Sequence, residues 1–224
     1  MWHATAVVLG LFGLISLALI PSERFLDRRV SREACVLVNT AERWVVVVLV
    51  LVYVLGVEHR DPGSIGLHWP SLGGLGEGVA LGLVAIVLFP VVHGLTRKLG
   101  SGRFDEGLAR ILALPGWLRV LLVITAGVFE EIAFRGFPIL RLSEAGLALW
   151  VSVAVPLAFF TLVHLRHWGA AHLVTVGFYG LLFSVAFIVL GNLNVTIIAH
   201  ILLDGFGLVV VPVLMKRRTR ESTA

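Results

Sequence analysis

The sequence predicts an all-α, polytopic integral membrane helical bundle of about seven transmembrane helices, forming one domain over residues 1–224. Three observations carry this. Charged residues make up only 14% of the chain and hydrophobic ones 58%, where a soluble domain carries about 25% charged residues. The mean hydropathy is +0.97. The apolar residues also fall in runs of roughly 20, the length a bilayer core requires. The sequence pI of about 10 does not imply nucleic acid, because the basic residues lie mostly between the apolar runs, where they set topology. Cys35 is the only cysteine, which excludes a disulfide framework and a Cys zinc cluster.

The predicted spans are 4–20, 35–56, 75–95, 117–139, 146–166, 171–190 and 193–214. The first is kept as a span because its positive residues, Arg24, Arg28, Arg29 and Arg32, follow the apolar run. A cleaved signal peptide has the opposite polarity. Span 2 is a Val-rich run, and span 3 ends in the basic loop Arg97, Lys98, Arg103 and Arg110. In that loop Phe104 to Leu114 has the pattern of a short surface helix. Pro138 and Pro156 read as kinks in spans 4 and 5. The tail is again basic, with Lys216, Arg217, Arg218 and Arg220, whereas the alternate loops hold only Arg60 and Arg141. The positive-inside rule then puts the N-terminus outside and the C-terminus in the cytoplasm.

Span 4 is the anomaly. From Leu118 to Ile139 it has twelve Leu, Ile, Val or Phe residues, together worth about −5 kcal/mol of insertion energy. Glu130, Glu131 and Arg135 near its middle cost about 8–10 kcal/mol. The helix can stay in a bilayer only if these groups face other helices or water. The ionisable residues that accompany them are His164 in span 5 and His200 with Asp204 in span 7. His93 lies near the inner end of span 3 and reads as interfacial.

The spacing gives each a chemistry. Glu131 and Arg135 are i,i+4 and can pair, leaving Glu130, about 100° further round, freer to exchange a proton. Phe160 and His164 are also i,i+4, so the ring can wall the imidazole. So are His200 and Asp204, and the carboxyl can fix which imidazole nitrogen carries the proton. Structural readings stand beside these: a helix-locking ion pair at Glu131–Arg135, a satisfied or interfacial histidine at 164, and a proton relay at His200–Asp204.

Glu130-Glu131-Ile132-Ala133-Phe134-Arg135 resembles the E-E-x-x-x-R motif of the CAAX protease and bacteriocin-processing family of intramembrane glutamic endopeptidases. Phe160 to His164 resembles that family's F-x-x-x-H motif, and His200 to Asp204 its H-x-x-x-N motif with Asp in place of Asn. The resemblance covers about residues 117–210. It implies an endopeptidase acting on a membrane-associated peptide, or on a lipid-anchored or transmembrane protein, in a bacterial or archaeal cytoplasmic membrane. Glu130 would activate water, His164 would hold it, and His200 with residue 204 would stabilise the oxyanion. Glu131 and Arg135 would orient Glu130. An ionised Asp204 cannot donate to an oxyanion as Asn can, so it is either protonated or acts by orienting His200. No cofactor is expected. The alternatives are zinc held by Glu130, His164 and His200, and a non-enzymatic transporter or bacteriocin immunity protein.

On the spans as drawn, Glu130 and His200 lie about 13 and 10 Å from the outer ends of their helices, and His164 about 27 Å. A shared site requires span 5 to start later, or span 4 to tilt or start later.

Overall fold

The computed structural model describes residues 31–100 and 102–214, excepting the side chains of residues 166 and 167. The expected first span, the basic residues Arg24, Arg28 and Arg29, and the basic tail lie outside these residues. Among the described residues every regular element is helical. Four helices among the described residues are long and apolar enough to cross a membrane: Arg32–Val57, Leu72–Arg97, Leu173–Leu190 and Leu193–Leu214. Gly116–Glu144 joins them when taken with Gly102–Leu112, to which it is bent by 119°. The molecule is an integral membrane helical bundle.

Helix α1, Arg32–Val52, starts where Ser31 accepts a hydrogen bond from the Ala34 amide, with Glu33 in the first turn. Such a cap stabilises by about 1 kcal/mol. The helix widens into a π turn, Tyr53–Val57. A short 3-10 turn, Pro62–Ile65, follows, capped by Asp61. Helix α2, Leu72–Arg97, is capped by Ser71 and buries Gly74, Gly78, Gly82 and Ala85. These small residues let α2 lie close along the last helix.

Helix α3, Gly102–Leu112, has no buried residue. Arg103, Asp105, Glu106 and Arg110 are exposed on it, whereas Phe104, Leu108 and Ile111 are half-buried, as an interfacial helix requires. Helix α4, Gly116–Glu131, continues through a π turn, Ile132–Gly136, into α5, Phe137–Glu144. Helix α6, Leu149–Val163, is followed by the short α7, Leu165–Trp168. Helix α8 spans Leu173–Leu190. Helix α9, Leu193–Gly205, begins at the Asn192 cap and ends in a third π turn, Phe206–Val210.

The core gathers Val47, Val50 and Val54 of α1, Phe129, Phe134 and Phe137 of the α4–α5 rod, Phe160 of α6 and Phe187 of α8. Large side chains such as Val48, Val52, Val87, Val91, Trp150 and Val189 point outward, which suits a lipid solvent.

Arg141, assigned to a loop by hydropathy, is instead a buried α5 residue. It binds both Glu58 oxygens at 2.6–3.0 Å and reaches Ser64. Arg60 and Glu144 complete this clamp at 2.7 and 2.8 Å. It ties the end of α1, the 3-10 turn and α5 into one unit.

Candidate active site

Three helices bring seven of the predicted residues together, among them Phe160 on α6. Glu130 and Glu131 are the last two residues of α4, and Arg135 sits in the π turn that follows. His164 caps the end of α6. His200 and Asp204 lie one turn apart on α9.

Their depths agree because the span ends differ from those drawn on the sequence. The α4–α5 rod runs on to Glu144, and α6 starts at Leu149. From that common end, Glu130 and His164 are both about 21–23 Å down their helices. Helix α9 starts deep: the Leu193 amide bonds the Gly66 carbonyl at 2.7 Å. A Cβ on Gly136 would lie 2.7 Å from Leu193 Cδ2 and 2.6 Å from the Ile65 carbonyl. Leu193 is therefore level with Gly136. His200 and Glu130 each lie about 9–11 Å beyond that level. Gly127 makes the lateral approach possible, since a Cβ there would stand 2.5 Å from Ile201 Cγ1.

Glu131 is wholly buried, and one oxygen, Oε1, accepts from both Arg135 Nη1 and His200 Nδ1, the latter at 2.8 Å. The Arg135 guanidinium also lies over the Phe160 ring at 4.9 Å and near the Phe183 ring at 5.6 Å. Charge and stacking together stabilise a cation that is 2% exposed, although its Nε has no hydrogen-bond partner among the described residues.

Glu130 is placed differently. Its Oε2 stands 4.0 Å from His164 Nε2 and 3.9 Å from His200 Nε2. Both gaps exceed a direct hydrogen bond and are the kind that one water bridges. His164 Nδ1 lies 2.6 Å from the Phe160 carbonyl. A carbonyl only accepts, so Nδ1 donates and Nε2 is left facing Glu130. The Phe160 ring walls this imidazole at 4.7 Å, as the spacing predicts.

His200 Nε2 lies 3.5 Å from Asp204 Oδ2, so the two imidazole nitrogens face different carboxylates. Side-chain exposure rises across the site, from 0% at Glu131 and 8% at Glu130 to 18% at His164 and 34% at Asp204. The arrangement has a dry, ion-paired back and a wetter front. It can hold a water between a carboxylate and two imidazoles.

Tetrahedral zinc, bound at about 2.0–2.2 Å, holds its ligands about 3.3–3.5 Å apart. Glu130 is further than that from both imidazoles. Among the described residues, no three His, Cys, Asp or Glu side chains are grouped to hold a metal.

His93 is not part of the site. It stacks on Phe89 at 5.3 Å and packs on Phe104 at 4.7 Å, and His172 meets the same Phe104 at 4.3 Å. Sequence reasoning also missed two cations inside predicted spans. Arg119, 6% exposed, donates to the Leu208 carbonyl at 2.8 Å and so serves the π turn of α9. Arg43 on α1 lies over the Phe129 ring at 5.7 Å. Both were visible as charges interrupting apolar runs.

Residues 112–206 match the family model described as Type II CAAX prenyl endopeptidase Rce1-like. No curated protein and no solved structure matches the chain.

Proposed function

Starting from residues 112–206 as a domain of the CAAX protease family, we propose that this protein is an intramembrane endopeptidase using Glu130 as its base and no metal. Family membership carries the coarse statement: a membrane-embedded peptidase acting on a peptide or protein. The finer reading rests on one observation, the placement of Glu130 Oε2 at 4.0 and 3.9 Å from two histidine Nε2 atoms.

In this reading a water sits between these three atoms. Its oxygen attacks the scissile carbonyl carbon while Glu130 takes its proton. His164, its Nδ1 held by the Phe160 carbonyl, offers Nε2 as an acceptor that orients the water. His200 Nε2–H donates to the developing oxyanion. The C–N bond then breaks, Glu130 passes the proton to the leaving amine, and a carboxylate and an amine are released. Glu131 and Arg135 hold His200 and the helix turn in place. Asp204 Oδ2, 3.5 Å from His200 Nε2, orients that imidazole and keeps its proton available. This is the indirect role left open by the change from Asn. Arg97, Lys98, Arg103 and Arg110 cluster around the ends of α2 and α3, which supports a cytoplasmic side at that end under the positive-inside rule.

The test is proteolysis by the purified protein in lipid vesicles, with and without a chelator. New peptide termini formed equally in both support the reading. Loss on chelation with recovery on adding zinc overturns the metal-free mechanism, and uptake driven by a pH gradient without peptide products overturns the enzyme.

A further inference from the structure

His164 stands at a joint between two helices. It ends α6 and opens α7, the single turn Leu165–Trp168. Its amide donates to the Thr161 carbonyl at 3.2 Å, and its carbonyl accepts from the Trp168 amide at 3.0 Å. The Gly169 amide bonds the Leu165 carbonyl at 3.0 Å and finishes the turn. No side chain caps α7, and one helical turn does not hold itself together, because nucleation costs more than its few hydrogen bonds return. The position of α7 therefore depends on what packs against it.

Helix α3 packs there. The Phe104 ring lies 5.5 Å from the Trp168 ring, 4.3 Å from His172 and 4.7 Å from His93. The Trp168 and His172 rings meet at 5.7 Å, which closes a box around Phe104. Next to it, a Cβ on Gly169 would stand 3.0 Å from Arg103 Cβ, and Gly169 has φ +78°. Glycine suits both the close approach and that backbone. Helix α3 has no buried residue of its own, so Phe104 in the box is what its half-buried face offers to α7. The contacts form a continuous path. Phe104 packs on the Trp168 ring, the Trp168 amide holds the His164 carbonyl, and His164 presents Nε2 to Glu130 at 4.0 Å. The Phe160 carbonyl fixes His164 Nδ1 from the α6 side, and the α7 side is fixed from α3.

We propose that Phe104 is a positioning residue for His164, acting through Trp168, so that the surface helix α3 must be seated in its box for the reaction to run at full rate. The inference rests on the peptidase reading above. A catalytic group displaced by about 1 Å through a change far from the chemistry loses about 10²-fold in rate. The His164 imidazole is exposed to such a loss, since its gap to Glu130 is bridged by one water in that reading and has no direct bond to restore it.

The test uses the full chain in lipid vesicles at equal folded amounts. Phe104→Ala should lower kcat by about 10–100-fold, with KM within about twofold of wild type. Phe104→Tyr keeps a ring in the box and should restore most of the rate. In His164→Ala, followed as single turnovers at high enzyme concentration, adding Phe104→Ala should cost less than about twofold more, because the two residues act as one unit. A full multiplicative loss in that background overturns the inference, since α3 would then serve the fold as a whole. A rise in KM with kcat unchanged overturns it as well, since α3 would then serve substrate entry, and so does a wild-type kcat in Phe104→Ala. A second measurement needs no cleavage. The His164 imidazole nitrogens, assigned by NMR from their loss in His164→Gln, should shift in Phe104→Ala and return in Phe104→Tyr. Unchanged resonances overturn the positioning claim by themselves. Absence of any cleavage by wild type overturns the peptidase reading, and the resonances still decide whether Phe104 positions His164.

Discussion

Glu130 and Glu131 are neighbours in the chain with opposite surroundings. Glu131 is fully buried and bonded to Arg135 and His200, whereas Glu130 stands 3.9 and 4.0 Å from two imidazole nitrogens. The 100° turn between adjacent helix residues produces this split. One carboxylate is committed to holding the bundle together; the other is the one to which the proposed mechanism gives the role of base.

Glu131→Ala should therefore act on stability first. It leaves the Arg135 and His200 groups buried without their acid, a loss of about 3–5 kcal/mol. Thermal unfolding in detergent checks this, and a variant melting with the wild type would contradict it.

His164→Ala should lower kcat by about 10²–10⁴-fold with little change in unfolding temperature. Its ring is partly exposed and donates a hydrogen bond to the Phe160 carbonyl. Steady-state cleavage of a peptide substrate measures the effect.

Asp204→Asn should keep most of the activity, because the amide oxygen can still accept from His200 and the amide nitrogen can donate to an oxyanion. Asp204→Leu removes both possibilities and should cost about 2–3 kcal/mol of transition-state stabilisation. Equal kcat/KM values for the two variants would rule out the assigned role.

Arg141→Ala should destabilise the fold by about 3 kcal/mol while sparing the chemistry of folded molecules. It strands Glu58 and frees the 3-10 turn from α5. Denaturation monitored beside activity per folded molecule separates the two effects.

Much of this arrangement is legible in the sequence. The i,i+4 spacings of Glu131 with Arg135, Phe160 with His164, and His200 with Asp204 are local, and the structure keeps all three. The ends of spans 4 and 5 were not legible. Arg141 reads as the start of a loop until Glu58, 83 residues away, is seen to bind it. With Arg141 inside the helix, α5 runs past Pro138 to Glu144 and the depth conflict disappears. Span 5 does start later, at Leu149, and ends at Val163. The deep start of α9 depends on the Gly66–Leu193 hydrogen bond, which joins distant segments. The short helix expected after span 3 is present as α3.

The most direct measurement is the cleavage rate of Glu130→Gln beside wild type, in lipid vesicles at equal folded amounts. Glutamine keeps the size of the side chain but cannot take a proton from water. The account predicts a fall in kcat of about 10³-fold or more, with an unchanged unfolding temperature. A variant that cuts the same peptide at the wild-type rate would contradict it.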